Sequence, residues 1–204
     1  MFEFIWTIIN YFRTYFFISN NKYVYELVNN TKKSIVKYDE ASKTYKTYTK
    51  FVSTHFDTDK INVYENEKKW LLRLKNSKYF PYLLYYNDQL RMIVTTDMGR
   101  KLTNTDLQKI DIHDQCNNII KELKKYNCRH NDIKPDELVF QNGILKLVDF
   151  GWAHDLNEEN PSSWPSCLGD KFKCTPYNDE CSIYKSIDYI QQQQQQQQQK
   201  RRYI

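Results

Sequence analysis

The chain has 204 residues and a formal net charge of +5, enough for one domain or one small two-part unit. The basic residues are spread along the chain rather than clustered, so a nucleic-acid groove is not expected. The five cysteines include Cys167, Cys174 and Cys181 at intervals of seven, which fits no C-x-x-C metal pattern; free thiols in a reducing, cytoplasmic compartment are expected and a zinc site is not.

Residues 1–18 are apolar and aromatic, interrupted by Glu3, Asn10 and Arg13. No basic leader or small-residue cleavage site marks a secretory signal. Phe2, Ile5, Ile9, Phe12 and Phe16 share one helical face. Two readings stay open for a helix over 1–20: it packs on the rest of the chain, or it lies against a membrane surface. A span is disfavoured by the stretch's short length and by Arg13 near its middle.

Residues 23–52 read as three strands, Tyr23–Val28, Ser34–Tyr38 and Tyr45–Val52, broken at Asn29-Asn30-Thr31 and over Asp39–Ser42. Ile61 to Lys75 reads as a helix with Asp59 as a candidate N-cap. Tyr64, Glu67, Leu71 and Leu74 fall on one face of it, and a carboxylate on an otherwise apolar stripe wants a cation. Pro81 to Thr96 reads as a hairpin, Tyr82–Tyr86 and Leu90–Thr96. A helix over about 111–126 presents Ile112, Cys116, Ile119, Ile120, Leu123 and Tyr126.

The most informative stretch is Asn127 to Ala153. Leu138-Val139-Phe140 and Ile144 to Val148 flank Gln141-Asn142-Gly143, and Asn-Gly between β-prone runs signals a two-residue hairpin. Asp132 precedes the hairpin and Asp149 follows it. Two carboxylates at the open end of a hairpin can hold a proton acceptor and a metal ion near each other.

His130-Asn131-Asp132-Ile133-Lys134-Pro135-Asp136-Glu137 resembles the catalytic loop of eukaryotic-type protein kinases, and Asp149-Phe150-Gly151 resembles their metal-binding D-F-G. The resemblance covers about residues 23–153. It implies an α+β, protein-kinase-like two-lobed fold: a β-rich small lobe over 21–96 and a shortened, mainly helical large lobe over 97–190. It implies ATP and Mg²⁺ as cofactors. Asp132 would accept or orient the proton of a substrate hydroxyl, and Lys134 would lie by the γ-phosphate. Asp149 would bind the metal, joined by Glu137, which stands where the family has asparagine. Lys50, with Lys46 as runner-up, would hold the α- and β-phosphates and pair with Glu67. Asn29, Thr31, Ser34 and Val36 match the phosphate loop, with every glycine replaced. Thr96-Asp97-Met98 would be the hinge, with Thr96 and Met98 beside the adenine, and Tyr48 would replace a small residue there. Asn131 stands in place of arginine, so control by activation-loop phosphorylation is not implied.

After Ala153 the likeness fades, and no A-P-E follows. Residues 154–178 read as irregular, Asp179 to Ile190 as one more helix, and 191–204 as a disordered or loosely helical tail of nine glutamines and a basic end. The shortened large lobe implies association with another chain or a surface. D-x-K-P resembles serine/threonine kinases. Three activities stay open: a kinase of protein hydroxyls, a phosphotransferase to a sugar or lipid-linked hydroxyl, and a non-catalytic pseudokinase.

Overall fold

The computed structural model describes residues 24–26, 33–40, 43–58, 60–158, 172, 174 and 178–202, with side chains over 48–193 of these. The fold is mixed α+β. Its first part is a five-stranded antiparallel sheet: β1 (Val24–Glu26), β2 (Lys33–Glu40), β3 (Lys43–Phe51), β4 (Leu83–Asn87) and β5 (Met92–Thr96), in the order β1-β2-β3-β5-β4. β3 lies at the centre, so Lys50, opposite Lys33 on β2 and Ile93 on β5, is held from both sides. β2 and β3 run two residues further into their turn than the sequence suggests: Asp39 pairs with Thr44 and Glu40 with Lys43. Local composition marks Asp39 and Glu40 as breakers, but a ladder closing behind them keeps them in the strand.

Helix α1 (Val63–Arg73) follows β3. Its N-cap is Asn62, whose side chain accepts the Glu65 N–H; the expected cap, Asp59, lies outside the described residues. Asp57 takes the Val63 N–H at 3.0 Å and also accepts from Arg91, so α1 starts where two carbonyl-bearing side chains meet its free N–H groups. Its buried face is the expected Tyr64, Glu67 and Leu71, with Leu74 at its end, plus Val63 and the fully buried Trp70.

Beyond β5, the short strand β6 (Arg100–Lys101) leads into helix α2 (Asn104–Leu107) and helix α3 (Ile112–Lys125). In α3 Cys116, Ile119, Ile120 and Leu123 are buried, the stripe read from the sequence, and Asp111 caps it by accepting the Asp114 N–H. β7 (Cys128–Arg129) then pairs with β10 (His154–Asp155), and β8 (Leu138–Gln141) pairs with β9 (Ile144–Leu147) and with β6. The β8–β9 turn is Asn142-Gly143, both with positive φ (52° and 80°), the conformation of a type I′ hairpin turn. One apolar core runs from Val52 and Ile93 through α1 and α3 to Leu138, Leu147 and Phe150.

Helix α4 (Asp179–Arg202) closes the described chain, and Ile183 and Ile187 join the core. It continues through the glutamine run, so of the two expectations for the tail over 191–204, disordered or loosely helical, the described residues take the helical one. Unbranched glutamine extends a helix already nucleated upstream at little cost. The thiol expectation also changes. Cys174 and Cys181 are joined by a disulfide, Cα to Cα 6.1 Å, because one cysteine precedes α4 and the other lies in its first turn. Cys116 and Cys128 are free and buried. No helix among the described residues is long and apolar enough to cross a membrane. The N-terminal helix expected over 1–20 lies outside the described residues.

Candidate functional site

Two lysines organise the site. Lys50, on the central strand, donates to Glu67 on α1 at 2.8 Å and to Asp149 Oδ1 at 2.5 Å. Lys134 donates to Asp132 Oδ2 at 2.5 Å and lies 3.3 Å from Glu137 Oε1. The side chains of Glu67, Asp132 and Glu137 are nearly buried, at 5–6% exposure. Burial alone would lower the Lys50 pKa, but the Asp149 and Glu67 carboxylates outweigh it and hold the ammonium well above the usual lysine range. Burial works against the Asp149 carboxylate too, and Lys50 overrides it, keeping the acid ionised below the normal carboxylate range. Lys134 is likewise held up against burial, by Glu137 first and Asp132 next. Lys50 is thus the partner of Glu67; Lys46 pairs in register with Lys37 on β2.

The loop between β7 and β8 is shaped by His130. Its Nε2 lies 3.1 Å from the Val148 carbonyl, and the Asp132 N–H lies 3.3 Å from its Nδ1. A carbonyl only accepts and an amide only donates, so the ring must be neutral, with its proton on Nε2. Burial pushes its pKa down to about 4, and the edge of Phe150 packs against it, centroids 4.8 Å apart. One imidazole therefore ties the backbone of Asp132 to the residue before Asp149. Asn131 and Asp149 both adopt left-handed backbone (φ 65° and 69°), which turns each loop sharply at the site.

The loop is also held from below. The Asp179 carboxylate, in the first turn of α4, accepts the backbone N–H of His130 at 2.7 Å and of Asn131 at 3.0 Å. Asn131 donates its amide to the Trp152 carbonyl at 3.0 Å. From above, α1 holds the segment after Asp149: Asn66 donates to the Gly151 and Ala153 carbonyls, and the Trp70 indole donates to Ala153 at 2.7 Å. A Cβ at Gly151 would come within 2.7 Å of Val63 Cγ1, so only glycine lets α1 pack this closely. Asp179, Asn66 and Trp70 were not singled out from the sequence. Their only sequence signal is position: Asp179 opens a recognisable helix, and Asn66 and Trp70 lie beside Glu67 in another.

A cleft of about 210 Å³ opens beside the lysines. Tyr48, Ile93, Thr96, Met98, Val139 and Val148 give it apolar walls, and Lys50, Glu67, Glu137 and Asp149 lie at its inner end. Burial raises the Tyr48 phenol above its ordinary range. Ser34 and Val36 lie on β2 opposite Thr49 and Thr47. Asn29 and Thr31 lie outside the described residues.

Counted formally, Glu67, Asp149, Asp132 and Glu137 carry four negative charges against two on the lysines, an excess of two in a largely buried cluster. Such an excess suits a divalent cation. Asp149 and Glu137 line the same cleft and offer only carboxylate oxygens, the hard donors that Mg²⁺ takes alongside substrate phosphates. Among the described residues no three or more His, Cys, Asp or Glu side chains gather into a closed metal cage, so a metal here would need oxygens from a ligand or water. Compared with known proteins, the chain matches no family model and no curated protein sequence.

Proposed function

We propose that this chain is an ATP-dependent phosphotransferase with the two-lobed fold of the protein-kinase superfamily, moving the γ-phosphate of ATP to a hydroxyl. The observation that carries the reading is the convergence of Asp132, Lys134, Lys50 and Asp149, from three separate segments, where two cavities meet: all four line one cavity, and Lys50 and Asp149 also line the apolar-walled cleft. Phosphoryl transfer needs positioned charge more than covalent chemistry, and this arrangement supplies it. The cleft's apolar walls suit a flat base, with Thr96 and Met98 at its edge. Lys50, steadied by Glu67, faces phosphate oxygens. Asp149 and Glu137 would hold Mg²⁺, which when bound neutralises charge on the transferring phosphate. Asp132, fixed by the His130 ring and the Asp179 carboxylate beneath its loop, accepts the hydroxyl proton. Lys134, bonded to Asp132, stabilises the phosphoryl oxygens as charge builds.

One observation favours a second reading, a non-catalytic module of the same fold. Tyr48 lines the cleft that the nucleotide must enter and narrows it. Transfer of label from γ-labelled Mg-ATP to a hydroxyl acceptor, with Asp132→Asn as control, separates the two. A drop of about 10³-fold in the control supports the first reading. Nucleotide binding without transfer by the intact chain supports the second.

A further inference from the structure

A second cavity, of about 180 Å³, adjoins the nucleotide cleft, and the Lys50 and Asp149 side chains line both. Asp132 and Lys134 line the second cavity and not the first. A hydroxyl that gives its proton to Asp132 must therefore arrive through this second space. Apart from the charged cluster, its walls among the described residues are Phe51, Val52, Phe56, Val63 and Trp152, with Ser53 the only uncharged polar side chain of that set. Val52, Val63 and Trp152 are buried, so that wall is built into the core and is not a surface accident.

We propose that this cavity binds the acceptor, and that the acceptor is an uncharged hydroxyl carried on a small apolar or aromatic body. This rests on the phosphotransferase reading above. Three features of the cavity select that class. Its volume exceeds the ~150 Å³ that accommodates a benzene ring in an apolar cavity, so one ring or branched side chain fits. The charged side chains that line it are two lysines and two aspartates, paired as Lys50–Asp149 and Lys134–Asp132. Among the described residues no further charged side chain lines its wall to recognise a basic or acidic flank. A polyol such as a sugar would turn several hydroxyls onto Phe56, Val63 and Trp152 and leave them unpaired, which an apolar alcohol avoids. In the transfer step the hydroxyl oxygen forms the new bond to the γ-phosphorus, the bond from that phosphorus to the β–γ bridging oxygen breaks, and the hydroxyl proton passes to Asp132.

The test uses the full chain with Mg-ATP and four acceptors: phenol, glucose, a short peptide with serine between two phenylalanines, and the same peptide with arginines instead. Binding is followed by tryptophan fluorescence, with Trp152→Phe identifying the reporter, and transfer is followed by label. The expected result is a Trp152-dependent signal and transfer with phenol or the phenylalanine peptide, at least about tenfold above glucose and the arginine peptide. Phenol alone would identify a free small alcohol as the source of the hydroxyl, the phenylalanine peptide alone a polypeptide side chain. Phe51→Lys, at a partly exposed wall position that tolerates change, should abolish that preference while ATP binding stays. Transfer that favours glucose or the arginine peptide overturns this proposal and leaves the phosphotransferase reading standing. Binding without transfer to any acceptor overturns both.

Discussion

The two lysines of the site look alike and are built differently. Each bridges two carboxylates. Lys50 reaches partners 17 and 99 positions away, on a helix and on a distant loop. Lys134 reaches partners two and three positions away, within its own turn. Lys50 is therefore a latch between parts of the fold, while Lys134 arranges charge inside a loop that other groups already hold. The same chemistry should weigh heavily on stability in one place and lightly in the other.

The largest effect is expected from Lys50→Met. It leaves Glu67 and Asp149 without their cation, and breaking such a pair costs about 3 kcal/mol. Transfer should fall by about 10³-fold as well. Next comes Asp179→Asn, which weakens the acceptor holding the His130 and Asn131 amides. A loss of about 2 kcal/mol is expected, with faster hydrogen exchange at those two amides. Third is the acid response of His130. Its native pKa is held near 4, below the unfolded value of about 6.5. The unfolded chain binds the extra proton in that window, so stability falls as pH drops from about 6.5 towards 4. The expected loss is about 1 kcal/mol at pH 5.5 and grows as the pH falls further. Denaturant midpoints across that range measure it, and His130→Gln should flatten the curve.

The smallest stability effect belongs to Lys134→Met, about 1 kcal/mol, although transfer should still collapse. For a chain of this length the two lysine variants should then differ in Tm by about 6 °C. Equal melting temperatures would break the distinction between latch and local bridge. A still larger gap would sharpen it, by showing that the turn around Lys134 stands without its cation.

What the sequence made legible was local. Asn142-Gly143 forecast its turn because two positive-φ residues between β-prone runs leave few other options. Glu67 stood out because a carboxylate on an apolar stripe must find a cation. Asp132 and Asp149 were visible through the turns around them. Asp179 was not, since a helix-opening aspartate normally serves its own helix, and here it serves a loop 49 positions earlier. Asn66 and Trp70 were missed for a similar reason: their partners are backbone carbonyls, which carry no sequence signature. Asn62 rather than Asp59 proved to be the cap because either residue type can cap a helix, and composition alone does not fix which one precedes its first turn. The disulfide was misjudged because a spacing of seven does not show that the chain before α4 brings Cys174 back to within 6.1 Å, Cα to Cα, of Cys181.

The clamp by Asp179 has a consequence for how the molecule comes together. Helix α3 and the β8–β9 hairpin close over short loops and can form early in folding. The Lys50–Asp149 and His130–Asp179 contacts close over 99 and 49 positions, and contacts of that span arrive late. A refolding chain should thus regain its helical signal before its cleft can take a ligand. For that interval it would be a protein with most of its secondary structure and no working centre.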